Sequence, residues 1–280
     1  MSVETSESIE PGTRASRFRM PRTAAERRRA FEIAAPWVFT IGFFLLWEIY
    51  CRASGIARFV LPAPSVVFQA GIEFWSALLR NSAITLWRTV AGFALAVGFG
   101  LLLGLVIGSS RVIYKGLYPV LIGFNAIPKV AVVPILVLWY GIGDVPAVLT
   151  AFLISFFPIV VNVATGLATI EPEVEDVLRA LGASKRDILV KVGLPRAMPY
   201  FFGSLKVAIT LAFVGTVISE TLAANEGLGQ MILTAQANFE VPLVFAVLIA
   251  LAVEGIIMYA IFAAVEQRMV GWAFRGSQAG

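Results

Sequence analysis

The sequence predicts an all-α integral membrane protein with six transmembrane helices, and this prediction depends on its composition and its charge distribution. Of the 280 residues, 59% are apolar and only 14% are charged, which lies outside the range of soluble domains. The windows 89–110 and 145–170 contain no charged residue. Each is long enough to cross about 30 Å of hydrocarbon as a helix. A soluble enzyme, a nucleic-acid-binding protein and a disordered scaffold are therefore excluded.

The residue types that the sequence lacks narrow its chemistry. It contains no histidine and a single cysteine, Cys51, so it offers no Ser–His–Asp triad, no histidine-ligated metal and no internal disulfide. It also lacks the GxxxxGK[ST] loop that binds ATP phosphates. We therefore expect no enzyme activity and no cofactor. If the protein drives a process that requires energy, this energy must come from a partner protein or from an ion gradient.

Six apolar segments follow a polar, arginine-rich N-terminal stretch. They lie at residues 33–51, 82–108, 117–140, 145–168, 200–222 and 242–265. Between the first two segments, the prolines of residues 61–65 break the chain. The spacing of Val67, Ala70 and Phe74 then predicts an amphipathic helix along the membrane interface. Near the N-terminus, residues 23–26 match a capping box and predict a short basic helix.

The positive charges predict the orientation in the membrane. If both termini are cytoplasmic, the cytoplasmic segments hold 17 of the 22 lysines and arginines, as the positive-inside rule requires. Residues 171–206 carry six of them, whereas the outer loop 223–241 carries only Glu226 and Glu240. The sequence thus predicts a multi-pass protein with both termini in the cytoplasm.

Two of the apolar segments have features beyond hydrophobicity. The second has a small residue at every fourth position, which lets another helix approach closely. These residues are Gly92, Ala96, Gly100, Gly104 and Gly108. The third contains Pro128 and Pro134, which free backbone carbonyls from helical hydrogen bonds. Because protein or water must satisfy such carbonyls at membrane depth, this segment is either a kinked packing helix or a helix that lines a pathway.

The polar segment 171–206 predicts a helix–turn–helix at the membrane surface. Its first helix carries an apolar stripe with helical spacing, made of Val174, Val177, Leu178 and Leu181. Gly182 ends that helix, since glycine readily adopts a positive φ. Residues 184–187 form a second capping box, and Leu194 with Pro195 closes the second helix. The stripe either enters a groove on a partner or packs on the chain's own membrane helices.

This polar segment resembles the cytoplasmic signature of permease subunits of binding-protein-dependent ABC importers. That signature reads E-A-A, three residues, Gly, nine residues, I-x-L-P. It aligns here with Asp176-Val177-Leu178, with Gly182 and with Val192-Gly193-Leu194-Pro195. Asp replaces the glutamate, and Val and Leu replace the two alanines. Gly182-Ala183-Ser184 matches the family's usual Gly-Ala-Ser.

Further segments resemble the nitrate, sulfonate and taurine branch of these permeases. They are residues 61–65, 127–131, 139–143, 219–220 and 227–229. The resemblance implies the type I ABC importer permease fold in a bacterial inner membrane. It also implies the partners: a second copy of the chain in a homodimer, two cytoplasmic ABC ATPase subunits, and a periplasmic substrate-binding protein, but no nucleic acid.

The resemblance also suggests how the chain is divided. Residues 1–32 would be a cytoplasmic tail, and 33–77 the first span with its interfacial segment. Residues 78–266 would form the permease core, which contains the coupling loop 171–199, and residues 267–280 a second cytoplasmic tail.

The resemblance assigns the loop to coupling with the ATPase. The apolar stripe would dock on it, Gly182 would form the turn, and Asp176, Arg179 and Lys185 would make polar contacts at the rim. The predicted coupling set is Val174, Asp176, Val177, Leu178, Arg179, Leu181, Gly182, Ala183, Ser184, Lys185, Leu194 and Pro195.

Polar residues at membrane depth suggest a translocation path. Arg88 and Lys129 lie in the second and third spans without an unambiguous buried acid, which is compatible with an anionic substrate. Alternatively, Lys129 pairs with a freed carbonyl or with Glu254. The predicted path set is Asn125, Pro128, Lys129, Pro134, Asn162 and Glu220. We expect Glu220 to be a solvated acid at the outer end of the fifth span, where the glycines of 227–229 would let the next loop fold back as a gate.

Three functions compete at this stage. An ABC importer permease is favoured by the coupling loop. A secondary transporter commonly shows internal inverted repeats, and none is evident here. A membrane enzyme would need clustered acids or histidine near an interface. For the importer, the substrate is a small anion such as nitrate, a sulfonate, taurine or an organic carboxylate, with a vitamin or a pyrimidine precursor as the alternative.

Overall fold

The computed structural model describes residues 22–169 and 171–274, and all regular secondary structure in these residues is helical. The helices are α1 (Arg22–Ser54), α2 (Pro64–Glu73), α3 (Trp75–Gly108), α4 (Arg111–Ala126), α5 (Val133–Tyr140), α6 (Asp144–Ala168), α7 (Pro172–Ala180), α8 (Lys185–Ile188), α9 (Leu194–Ala223), α10 (Leu228–Ala237) and α11 (Val241–Phe274). A 3₁₀ turn (Lys129–Val132) precedes α5, and a π turn (Leu189–Gly193) precedes α9.

Helix α1 belongs to a unit of its own, which ends at Gly55. The predicted short basic helix is wrong as a separate element, because one helix runs from Arg22 to Ser54. No glycine or proline occurs between Thr23 and Pro36 to stop it. Its apolar part, Ala34–Ser54, is long enough to span a membrane.

The six predicted spans are confirmed, and one of them is broken. In the described residues, five helices are long and apolar enough to cross a membrane. The third span consists of two helical pieces, Val112–Ala126 and Lys129–Tyr140, which are bent by 73° relative to each other. The break falls at Pro128, which cannot donate a backbone hydrogen bond. The bend is sharper than the kink that the prolines predicted.

Close helix packing holds the second unit together. Helix α6 packs along both α3 and α9, and the predicted small-residue stripe of α3 makes the first of these contacts. A Cβ atom placed on Gly92 would lie 2.5 Å from the Ala151 Cβ, and one on Gly104 would lie 2.7 Å from the Val163 Cβ. The two backbones are therefore too close for any larger side chain. On α9, Gly215 faces α6 in the same way.

The shorter helices cover the ends of this core. Helix α2 buries Val67 and Ala70, as the predicted spacing requires, and packs against α11, while Phe68 and Ile72 stay exposed. Helix α10 packs on α9 and α11. Its Leu228 joins a buried apolar cluster with Leu78 and Val247. Helix α10 is therefore a fixed part of the packed unit.

The predicted end of the second loop helix at Leu194 and Pro195 is wrong. Leu194 begins α9, and the π turn joins α8 to it without interruption, so that one helix extends over Lys185–Ala223. Pro195 directly follows the π turn. Its missing N–H interrupts the regular helical hydrogen bonds there, at the place where the π turn stands. The coupling loop is thus continuous with the fifth span.

Candidate coupling surface and buried charge network

A Schellman turn ends the first loop helix, α7. The Gly182 N–H donates to the Arg179 carbonyl at 2.9 Å, and the Ala183 N–H donates to the Leu178 carbonyl at 3.0 Å. Gly182 has φ +89°, a conformation that penalises every residue with a Cβ atom. The predicted role of Gly182 in the turn is therefore confirmed.

The apolar stripe of α7 is exposed, which decides between its two interpretations. Val177 is 60% exposed and Leu181 is 79% exposed, whereas Leu178 is half-buried, so most of the stripe does not pack on the chain's own membrane helices. The opposite, polar face of α7 lines a cavity of about 660 Å³ against the ends of α3 and α6. An apolar face that points away from the molecule suits a partner surface. We call Val174, Val177, Leu178 and Leu181 the coupling surface.

The polar residues that were predicted at the rim of this surface lie beside a cavity of their own chain. Asp176, Arg179 and Lys185 line the cavity between α7 and the span ends. Arg179 also forms an ion pair with Glu175, one turn earlier on the same helix. All three side chains are exposed, so they remain accessible to a partner.

The second capping box is present as predicted. The Asp187 N–H donates to the Ser184 Oγ at 3.1 Å, and the Lys191 ammonium pairs with the Asp187 carboxylate at 2.8 Å. Hydrogen bonds from Lys191 and Ser184 lower the pKa of Asp187 to about 2, and the same pairing raises the pKa of Lys191. The start of α8 thus carries a carboxylate at its N-terminus, where the helix dipole favours negative charge.

Two of the predicted path residues meet at the break in the third span. The Lys129 ammonium donates to the Asn125 backbone carbonyl at 2.5 Å and to the Asn125 Oδ1 at 2.6 Å. The carbonyl is free because the α4 helix ends next to it. Lys129 therefore pairs with a freed carbonyl and not with Glu254. It also lies 6.0 Å from the centre of the Phe157 ring.

The break borders an apolar cavity of about 330 Å³. Its lining includes Lys129, Trp139 and Phe152. Pro134 lies in the first turn of α5. Asn162 is not among the lining residues, and its side-chain amide donates to the Pro158 carbonyl of its own helix at 2.8 Å. The structure thus brings together Asn125, Pro128 and Lys129 but leaves Asn162 half-buried on α6.

Glu220 is fully buried, so the prediction of a solvated acid is wrong. Its carboxylate accepts from Arg88 Nη1 at 2.9 Å, from the Thr85 hydroxyl at 2.9 Å and from the Gly229 N–H at 3.1 Å. Arg88 is 3% exposed and also pairs with Asp144 at 2.6 Å. Arg88 therefore has two acidic partners, and it offers no uncompensated charge to a substrate.

The same network fixes the backbone that leads into α10. Arg88 Nη1 donates to the Glu226 carbonyl at 2.7 Å, and the Asn81 Oδ1 accepts from the Gly227 N–H at 2.8 Å. The Leu228 N–H donates to the Thr85 hydroxyl at 2.9 Å. A Cβ atom on Gly227 would lie 2.3 Å from the Glu220 carboxylate. Glycine is therefore needed here for close packing of this segment on the buried acid.

Sequence reasoning missed Asn81, Thr85 and Asp144 as members of this network. Asp144 begins α6 directly after Gly141 and Gly143, both of which have positive φ. An acid directly after a glycine-rich turn is the feature of the sequence that could have indicated Asp144 as a member of this network. Thr85 lies on the α3 face one turn before Arg88, but nothing in the local sequence indicates its partner 135 residues away.

Comparison with known proteins agrees with this architecture. A family model described as the binding-protein-dependent transport system inner membrane component matches residues 96–271. The chain belongs to this family. It is a multi-pass inner-membrane permease subunit of an ABC importer, as its coupling loop predicted.

Three relatives illustrate the membership. The formylaminopyrimidine transport permease protein ThiX of Halalkalibacterium halodurans is 31% identical, over 88% of this chain and 98% of its own. The riboflavin transport system permease protein RibX of Chloroflexus aurantiacus is 33% identical, over 81% and 86%. The nitrate import permease protein NrtB of Synechococcus elongatus is 30% identical, over 70% and 75%.

A solved structure supports the fold. An inward-facing form of the MetNI methionine ABC transporter matches with a TM-score of 0.61 at 20% identity, over 70% of this chain and 97% of the matched chain. The permease therefore has the type I importer fold that the resemblance implied.

Proposed function

We propose that the permease is driven by a cytoplasmic ABC ATPase that binds the coupling surface of α7. The observation that carries this proposal is the exposure of the apolar stripe, with Leu181 79% exposed, on a helix whose polar face lies against its own chain. A hydrophobic groove on the ATPase would bury this stripe, as grooves bury amphipathic helices elsewhere.

The connection to the spans supports transmission of force from this surface. The α8 segment continues through the π turn into α9, so displacement of the loop moves the fifth span with it. Helix α9 packs tightly on α6 through Gly166 and Gly215. A shift at the coupling surface would therefore move α6 and α9 together as a rigid body. Tightly packed helices commonly move in this way during conformational transitions.

The test is co-purification of the ATPase from native membranes. A Val177→Asp, Leu181→Asp double variant would place two charges on the coupling surface, and we expect it to lose the ATPase. The matched control is Ala180→Asp, which adds a charge on an exposed position of the same helix, about 110° around the helix from the centre of the stripe. Retention of the ATPase by the double variant, or its absence from the wild type, would refute the proposal.

The remaining partners follow from the same assignment. We propose two ATPase subunits, one for each permease copy of a homodimer, and a periplasmic protein that delivers the substrate. Both termini would be cytoplasmic, because this orientation places 17 of the 22 lysines and arginines on the inner side. Labelling of a C-terminal cysteine in intact cells and in inverted vesicles tests the orientation.

For the substrate, the charges and the cavity favour an organic solute over an inorganic anion. Arg88 is neutralised by two acids, which removes one of the two cations that suggested an anion. The cavity at the broken span is lined mainly by apolar and aromatic residues, which suits a ring system. Lys129 would then contact a polar edge of the ring.

Uptake by cells that produce the complete importer distinguishes these classes. Labelled aminopyrimidine and riboflavin represent the heterocycles for which ThiX and RibX are named, and labelled nitrate and taurine represent the anions. We expect uptake of a heterocycle that stops when the ATPase is inactivated. ATP-dependent uptake of nitrate or taurine alone would overturn the assignment of the substrate but leave the coupling proposal intact.

A further inference from the structure

An exposed aromatic residue occupies a glycine-type position in the turn after α10. Phe239 has φ +58° and is the only non-glycine residue with positive φ in the described ranges 22–169 and 171–274. It is also 80% exposed. The position combines a strained backbone with an unburied phenyl ring. Such strained positions concentrate where a protein carries out its function.

The turn is a well-formed Schellman motif. The Phe239 N–H donates to the Gln236 carbonyl at 3.1 Å, and the Glu240 N–H donates to the Ala235 carbonyl at 2.8 Å. The pattern is the same as in the coupling loop, where Gly182 occupies the equivalent position. Because glycine would fit this turn without strain, the turn itself does not explain the phenylalanine.

The helix that carries this turn is rigidly mounted. Its first residues are held by the buried network around Glu220, and Leu228 and Ala235 are buried on its inner side. The turn therefore projects from a fixed base. A preorganised base lowers the entropy that binding a partner would cost.

The surroundings of Phe239 are polar. Gln236, Asn238 and Glu240 are exposed around it, and amide and carboxylate groups are unfavourable in hydrocarbon. The ring thus projects among groups that require water. Hot spots in protein–protein interfaces commonly consist of an aromatic anchor that is surrounded by a polar rim.

We propose that the turn at 238–240 is a docking point for the water-soluble protein that delivers the substrate. The inference rests on the proposed function, since it needs a binding protein on the side opposite to the ATPase. Helix α9 separates the coupling loop from the α10 side of the molecule and is 30 residues long, which corresponds to about 45 Å. Phe239 would insert into an apolar pocket of the binding protein, and basic groups beside that pocket would face Glu240.

The test measures ATPase activity of the complete importer in proteoliposomes as its binding protein is titrated. In Phe239→Gly the backbone strain is relieved while the ring is lost, so misfolding does not explain a defect. We expect the concentration of binding protein for half-maximal stimulation to rise at least about tenfold, with basal ATPase activity unchanged. Phe239→Trp should retain stimulation. The matched control is Phe68→Ala, which removes an exposed phenylalanine from α2.

The outcomes separate this proposal from the proposed function. Unchanged stimulation of Phe239→Gly would overturn the docking point, while the importer assignment would stand. Failure of the wild type to respond to any binding protein would overturn both. A nitroxide on Phe239→Cys, in a Cys51→Ser background, adds a direct readout. If the binding protein lowers the accessibility of this nitroxide to a water-soluble relaxing agent, docking is supported. If the nitroxide is instead accessible to lipid-soluble oxygen and not to the water-soluble agent, Phe239 contacts the membrane and the proposal is refuted.

Discussion

Removal of the Glu220 carboxylate should destabilise the permease strongly. Glu220→Ala leaves the Thr85 hydroxyl and the Gly229 N–H without their acceptor, and it removes an anion from Arg88 at 2.9 Å. A buried donor without an acceptor costs about 1–3 kcal/mol, and a bond to a charged group contributes about 1.5–3 kcal/mol. Two such donors and one such bond sum to about 3.5–9 kcal/mol. Because Arg88 keeps Asp144 as a partner, we expect a loss in the lower part of this range, near the roughly 3–5 kcal/mol for breaking one side of a buried ion pair.

A compensating double variant tests the origin of this loss. The free energy of unfolding would be measured by SDS titration in mixed micelles for Glu220→Ala and for Arg88→Met combined with Glu220→Leu. In Glu220→Ala, the buried Arg88 keeps only Asp144 as an acidic partner. The double variant also removes the guanidinium and fills the space with apolar side chains, so we expect it to be more stable than Glu220→Ala. A loss below about 1 kcal/mol for Glu220→Ala would place that change among ordinary surface substitutions. That result, or a less stable double variant, would refute the reasoning.

Two further predictions concern helix packing and the coupling loop. Gly92→Ala should destabilise the protein by about 1–3 kcal/mol, because its Cβ atom would lie 2.6 Å from the Val148 carbonyl oxygen. Gly98→Ala, which meets no atom within 4 Å, should be neutral or stabilising by up to about 1 kcal/mol; equal losses in thermal unfolding would contradict the packing. Asp187, with its pKa lowered to about 2, should stabilise the loop above the ordinary pKa near 4 and lose this effect as the pH falls towards about 2. Carboxyl NMR should show Lys191→Gln raising the pKa of Asp187, and a wild-type pKa near 4 would refute the pairing.

Local features of the sequence predicted most of the fold. Hydrophobic length alone identified the six spans, because a helix must be about 20 apolar residues long to cross a bilayer. The spacing of Gly92, Gly100 and Gly104 identified a packing face, and Gly182 identified a turn, since each depends on the backbone geometry of one helix. The coupling signature was also local, and the family match over residues 96–271 agrees with it.

The tertiary structure alone decided which charges meet and which apolar faces stay exposed. Arg88 and Glu220 are 132 residues apart in sequence, and no periodicity relates two distant helices. The sequence therefore predicts a solvated acid and a free cation where the structure has a buried ion pair. The same limit left the α7 stripe ambiguous, because spacing defines a face but not what lies against it. The strained turn at Phe239 could not be predicted either, because phenylalanine itself disfavours a positive φ. Local sequence therefore predicted most of the helices, whereas packing between distant segments determined which side chains meet.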